Sequence, residues 1–237
     1  MLEHNIAKFK PVVQRHDKVL IIGGGESLIG FDWSILNDYK GVIITINNVV
    51  SHIPRADYWI TVDPMSEGNP QTAMINKIKG VYYFCAFPDM SKTPFDAPLY
   101  KTVEGIHYLE RIVPRSRELQ LERIVPRSYE LQEDKDKITT GDSCYGALGL
   151  AYHFEAKKIA IIGADAFGFG HWYDTSEPYN KGWLDKFNDY LARIPIIYAS
   201  SVEQFEKRGT EVVLGSLNSP IECFTKMKPE EAVKWLQ

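Results

Sequence analysis

Four consecutive apolar residues, Val19 to Ile22, run straight into three glycines and a polar pair, Gly23-Gly24-Gly25-Glu26-Ser27. A short run of branched apolar side chains is what a strand buried on both faces requires, and such strands belong to parallel sheets. Glycines at its carboxyl end carry no Cβ, so the backbone N–H groups there can approach a ligand closely. In open α/β sheets that end is where ligands sit. The turn therefore reads as an anion or nucleotide site. It does not read as a dinucleotide fingerprint, which needs G-x-G-x-x-G: the glycine after Gly23 and Gly25 is Gly30, two places late. The next apolar run, Val42–Ile46, ends in Asn47-Asn48 rather than in an acid for a ribose, which disfavours NAD.

Further apolar runs recur with helix-length gaps between them: Tyr58–Val62, Val81–Phe84, Ile159–Ile162, Ile196–Tyr198 and Glu211–Leu214. Runs that alternate with such spacers imply βαβ crossovers. The expected fold is α/β: a doubly wound, mostly parallel, Rossmann-like sheet with helices on both faces. Helices are expected over Asp142–Phe154, Lys181–Ala192 and Ser201–Lys207, the last ending before a glycine C-cap at Gly209. A final helix opens at Pro229 with Glu230 and Glu231 in its first turn. The 237 residues fit a single domain over 1–237.

The pattern breaks over 88–137, which reads as an inserted, lid-like segment. Pro88, Pro94 and Pro98 punctuate it, and a tandem repeat follows: Leu109–Gln120 reads LERIVPRSRELQ and Leu121–Gln132 reads LERIVPRSYELQ, differing at Arg117 versus Tyr129. The leading reading is a local duplication forming a solvated insertion, since lengthening a loop costs little entropy. The rival reading is a basic lid, with Arg111, Arg115, Arg117, Arg123 and Arg127 clamping phosphate. Glu110, Glu118, Glu122 and Glu130 nearly neutralise those arginines.

Composition excludes little else. Lys and Arg number 27 against 31 Asp and Glu, so no global field favours nucleic acid or an anionic membrane surface. Cys85, Cys144 and Cys223 are odd in number and lack zinc spacing, which points to free thiols, a reducing compartment and no metal centre. No apolar stretch approaches the roughly 20 residues needed to span a bilayer, and no secretory segment is evident, so a cytoplasmic protein is expected.

Several other residues stand where chemistry is done. Thr139-Thr140-Gly141-Asp142-Ser143 opens a helix, and reads either as an anion site or as a plain N-cap formed by Thr140, Asp142 or Ser143. Asp165, after the run Ile159–Ile162, reads as a functional carboxylate or as a turn aspartate; Asp63 repeats that logic after Tyr58–Val62. His171 lies in an aromatic loop, Gly168-Phe169-Gly170-His171-Trp172-Tyr173, where an imidazole suits a general base. Cys144 reads as a small buried thiol ahead of a nucleophile.

Taken in order, these motifs resemble the bacterial sialyltransferases of the lipooligosaccharide type. They also resemble related phage and bacterial Rossmann-like proteins, among them the archaeal-type 6-hydroxymethylpterin diphosphokinases. The shared pattern is a strand followed by Gly-x-Gly-x-Ser (Gly23 to Ser27), then a strand ending in Asn (Ile46-Asn47-Asn48). Later come Ile-Thr-Thr-Gly before a helix (Ile138 to Gly141), a strand with Gly-x-Asp (Ile162 to Phe167), and Asn218-Ser219-Pro220-Ile221 ahead of Phe224. The resemblance implies that Gly23, Gly25, Ser27, Asn47, Thr140 and Gly141 surround a nucleotide, and Gly24, Asn48, Asp63, Ser143, Asn218 and Ser219 are expected to line the same pocket. It implies a CMP- or UDP-type sugar donor, a hydroxyl acceptor (a glycan ahead of nucleic acid), and catalytic roles for His171 and Asp165. No cofactor is expected beyond the donor, and a homo-oligomer is left open. The alternatives are a Mg²⁺-dependent pyrophosphokinase acting on a pterin-like alcohol with ATP, its metal on Asp63 or Asp165, and a non-catalytic nucleotide-binding protein.

Overall fold

The computed structural model describes residues 14–62, 80–88, 106–112, 129–166, 171–173 and 191–237. Nine parallel strands form one open sheet: β1 (Lys18–Ile22), β2 (Val42–Ile46), β3 (Tyr58–Thr61), β4 (Tyr82–Pro88), β5 (Ile106–Ile112), β6 (Lys137–Thr139), β7 (Lys158–Ile162), β8 (Glu211–Gly215) and β9 (Thr225–Lys226). Their order is β6-β5-β4-β3-β2-β1-β7-β8-β9. The chain winds outward from β1 to β6, then returns to the other side of β1 for β7, so the strand order reverses between β1 and β7. That is the topological switch point of a doubly wound, Rossmann-like sheet.

Helices cover both faces. The first, α1 (Ser143–His153), is buried at every residue and carries Gly146 and Gly149 where a Cβ would lie 2.9 Å from Val62 Cγ1 and 3.0 Å from Ile138 Cγ1. Small residues thus let the helix settle onto the sheet. A Cβ on Gly146 would also approach Ile60, and strand register carries that face across Ile46, Ile44, Ile21, Ile161 and Leu214. Gly215 points the other way, and a Cβ there would lie 3.2 Å from Ala232 Cβ of the last helix, Pro229–Leu236. Between them stand two short helices, α2 (Ile194–Ala199) and α3 (Val202–Arg208). The last helix is α4. Gly209 ends α3 at φ 61°, the left-handed cap its position predicts.

The apolar run Ile196–Tyr198 is helix, not strand. Ile194, Ile197 and Tyr198 are buried while Ile196 is exposed, a helical period that begins beside Pro195. A short apolar run does not separate the two states by itself. Residues 181–190 of the expected helix over 181–192 lie outside the described residues.

Three strands lie where none is expected. β6 and β9 are too short to signal themselves, while β5 lies within 88–137 and takes its last four residues, Leu109 to Ile112, from the head of the first repeat copy. The tail of the second copy is also built in. Tyr129 and Leu131 are buried, the Tyr145 hydroxyl donates to the Tyr129 carbonyl (2.5 Å), and the Gln204 carboxamide pairs with both the N–H and the carbonyl of Leu131 (2.7 and 2.9 Å). Among the described residues no helix is long and apolar enough to cross a membrane.

Candidate functional site

The carboxyl ends of β1 and β7 meet at the switch point, and there the protein bonds to itself. Gly23 N–H donates to the Ile162 carbonyl (2.8 Å) and Gly25 N–H to the Gly163 carbonyl (2.9 Å). A Cβ on Gly23 would lie 2.3 Å from Gly163 O and 2.9 Å from Cys144 Sγ; one on Gly25 would lie 2.5 Å from the Asp165 carboxylate. These two glycines therefore serve the close approach of two protein turns, and their amides are already spent. Asp165 is 3% exposed, and its two oxygens accept from the Ser27 N–H (2.7 Å) and the Ser27 hydroxyl (2.5 Å). Glu26, between them, is exposed. On the far side of β7, the Ser219 hydroxyl donates to the Ala164 carbonyl (3.1 Å), while Asn218 is exposed on the turn after β8.

The other half of the edge, beyond β1 toward β3, keeps polar groups in reserve. Asn47 follows β2 at φ 45°, a conformation asparagine tolerates better than most residues. Its carbonyl accepts from the Trp59 indole (2.6 Å), and its side-chain Oδ1 accepts from the hydroxyls of Thr61 (2.8 Å) and Ser143 (3.4 Å). Asn48 Oδ1 is buried without a hydrogen-bond partner. A buried acceptor left unmade is costly, so it marks a place where a donor is wanted.

The amino terminus of α1 stands between these two halves, Ser143 touching Asn47 and Cys144 packing under Gly23. Asp142 caps the helix, accepting from Tyr145 N–H (2.7 Å) and the Tyr198 hydroxyl (3.1 Å). Of the three residues read as caps, Asp142 is the one that does so, and its carboxylate is turned along the helix. Burial is the largest influence on its pKa and raises it above the ordinary aspartate value. Burial likewise pushes the Cys144 thiol well above its ordinary value, with Asp142 and Asp165 adding to the effect, which makes it a poor nucleophile. Gly141 faces α2, where a Cβ would lie 2.6 Å from the Ile197 side chain.

Thr140, 3% exposed, accepts at its hydroxyl from Arg111 Nε (2.7 Å), while Arg111 Nη1 donates to the Val62 carbonyl (3.0 Å). Arg111 comes from the repeat. Its placement in a strand is written in the sequence only as the spacing of Leu109 and Arg111, which fall on one face of β5.

A column of rings closes the site on the β2 side. His171 stacks on Tyr173 (5.0 Å, 8°), and Tyr173 stacks in turn on His52 (4.3 Å, 8°). Trp172 packs on Trp33 (4.6 Å), its backbone N–H donates to the Gly24 carbonyl (3.1 Å), and its indole N–H donates to the Gly23 carbonyl (3.3 Å). His171 thereby sits over Gly24, where a Cβ would be 2.7 Å from its Nδ1. His52, Trp33 and Trp172 carry no motif that sequence reasoning could use. Asp63 lies outside the described residues, and among those described no group of three His, Cys, Asp or Glu side chains could hold a metal ion.

No known family profile matches the chain, and no curated protein matches it in sequence. Two solved structures do resemble it in shape. A variant of the sialyltransferase CST-II in complex with CMP is 14% identical, covering 91% of this chain and 87% of that one with a TM-score of 0.48. The sialyltransferase CstII from Campylobacter jejuni in complex with cytidine-5'-monophosphate is 14% identical, covering 92% and 87% with a TM-score of 0.44. Both values fall below the level at which a common function follows from shape.

Proposed function

We propose that this chain is a glycosyltransferase that moves a sugar from a nucleotide-activated donor to a hydroxyl acceptor. The observation that carries the reading is a single edge where Asn47, Thr140 and Ser143 gather around the start of α1 while His171 lies over Gly24. The Thr140 hydroxyl, the Asn47 amide and the positive end of the α1 dipole suit a leaving phosphate, which collects charge as the glycosidic bond breaks. An imidazole beside them suits removal of the acceptor proton.

In this reading Gly24, Asn47, Asn48, Thr140, Gly141 and Ser143 line the nucleotide. Gly23, Gly25, Ser27 and Asp165 hold the switch point shut and so fix where the donor lies, and Ser219 braces the adjoining turn. His171 takes the proton from the acceptor hydroxyl, whose oxygen attacks the anomeric carbon. The carbon–oxygen bond to phosphate breaks, and its electron pair leaves with the nucleotide. Holding both partners in line supplies much of the rate. The pyrophosphokinase alternative needs a carboxylate free for Mg²⁺, and both oxygens of Asp165 already accept from Ser27.

The test is calorimetric titration with CMP, UDP, GDP and ATP, each with and without Mg²⁺. Metal-independent binding of CMP or UDP, weakened at least tenfold in Asn47→Ala, is the expected result. Mg²⁺-dependent binding of ATP alone would replace the transferase with the kinase, and binding of none of the four would sink both.

A further inference from the structure

We infer that Arg111, contributed by the first copy of the tandem repeat, is a positioning residue that fixes Thr140 as a hydrogen-bond donor toward an oxyanion of the bound nucleotide. The inference rests on the function proposed above and deepens it. A guanidinium has only donors, so the 2.7 Å contact between Arg111 Nε and Thr140 Oγ1 has one polarity: the threonine oxygen accepts. A hydroxyl has one hydrogen, and that hydrogen is then left to be donated.

Arg111 is itself anchored at a second point. Its Nη1 donates to the carbonyl of Val62, at the end of β3, so the side chain reaches back over β4 between two fixed acceptors. A planar fork held at two points loses little further freedom when the site fills. Thr140 is buried and directly precedes the Gly141–Asp142 entry to α1. Its hydrogen therefore stands at the start of α1, where the helix dipole favours negative charge. The ligand atom that suits such a field is an acceptor oxygen carrying negative charge, as on a phosphate.

The repeat thus enters the site through its head. Strand register places Arg111 opposite Ile138 on the face that α1 covers, and the described part of the first copy ends one residue later, at Ile112. A duplication downstream of Ile112 leaves that arginine where a single copy would put it.

The experiment compares CMP with cytidine, and UMP with uridine, as ligands for wild type, Arg111→Gln, Thr140→Val, the double variant and Thr140→Ser. Arg111→Gln and Thr140→Val are each expected to lose about ten- to a hundredfold in nucleotide affinity, the range of one hydrogen bond to a charged acceptor. Nucleoside affinity should stay within about twofold. The double variant should lose no more than either single change, and Thr140→Ser should recover most of the loss. Additive losses in the double variant, equal losses for nucleoside and nucleotide, or undiminished CMP binding by Arg111→Gln would overturn the positioning role while leaving the transferase reading intact. If Arg111→Gln does not fold, Thr140→Val and Thr140→Ser decide alone: equal nucleotide affinity in the two overturns the inference. Wild-type protein that binds neither CMP nor UMP overturns the functional reading, and this inference with it.

Discussion

The glycine turn after β1 and the threonine–glycine turn before α1 stand at the same edge of the sheet, and each sets a glycine near a carboxylate. Their glycines exist for different reasons. Gly25 has φ −65° and ψ 152°, extended backbone that any residue adopts. It is glycine because a Cβ would meet the Asp165 carboxylate at 2.5 Å and the Gly163 carbonyl at 2.8 Å. Gly141 faces the Cγ2 and Cδ1 methyls of Ile197, a buried side chain rather than backbone. One turn is closed by backbone and by a pinned carboxylate, the other by side-chain methyls. The lesson is that glycines at the end of a parallel strand do not by themselves announce a ligand: here the richer turn seals the switch point, and the plainer one faces the nucleotide we propose.

The two turns should differ most at Gly25. Gly25→Val is expected to cost about 3–5 kcal/mol, the range of severe overpacking against groups that cannot yield. Urea denaturation should show a lowered midpoint before any ligand is added. An unchanged midpoint with lost nucleotide binding would return the turn to the role of a phosphate loop. Asp165→Ala comes next, at about 2–3 kcal/mol, because two hydrogen bonds to a buried carboxylate vanish and the Ser27 donors are stranded. Ser27→Ala should cost somewhat less, since it leaves the carboxylate in place. A larger loss from Ser27→Ala than from Asp165→Ala would mean that the pair is not what holds the turn.

How far the sequence discloses this depends on burial. β1, β2, β3, β7 and β8 are legible because a parallel strand covered on both faces must be apolar almost throughout, and their runs are. β5 is hidden because its apolar residues form neither a continuous run nor a strict alternation. Ile106 and Leu109 are buried while Glu110 faces solvent, and the strand's last residues repeat twelve places later. What decides between the copies lies just outside the shared text. A strand end built from the second copy would bring Glu118 to the buried place of Ile106. The lone difference between the copies also falls where it matters, because Tyr129 is buried where the first copy has Arg117. Residue types at Asn47, Thr140 and Ser143 marked the edge of the site. The partners that orient them, Arg111 and Thr61, come from strands whose neighbours only the folded sheet supplies.

Gly141→Ala should have a smaller effect at the second turn. The new Cβ would meet side-chain methyls rather than backbone, so the change should cost about 1–3 kcal/mol, under the cost of Gly25→Ala. Equal losses at the two positions, measured as midpoint shifts under identical conditions, would erase the distinction between a turn closed by backbone and one closed by side chains.

The smallest change is expected from Asp142→Asn, because an asparagine Oδ1 can still accept from Tyr145 N–H and from the Tyr198 hydroxyl. Its effect should appear as a change in pH dependence. Burial holds the folded aspartate above its ordinary pKa, so the folded form keeps a proton that the unfolded chain has already released. As pH rises from the ordinary carboxylate value through the raised one, the unfolded state is favoured and the stability owed to this group declines. Asparagine does not titrate, so wild type should lose stability relative to Asp142→Asn across that acidic window, with the difference level above it. Urea midpoints of both proteins from pH 3.5 upward measure this directly. A difference that grows in favour of wild type with rising pH would mean that the hydrogen bonds from Tyr145 and Tyr198 outweigh burial at the cap.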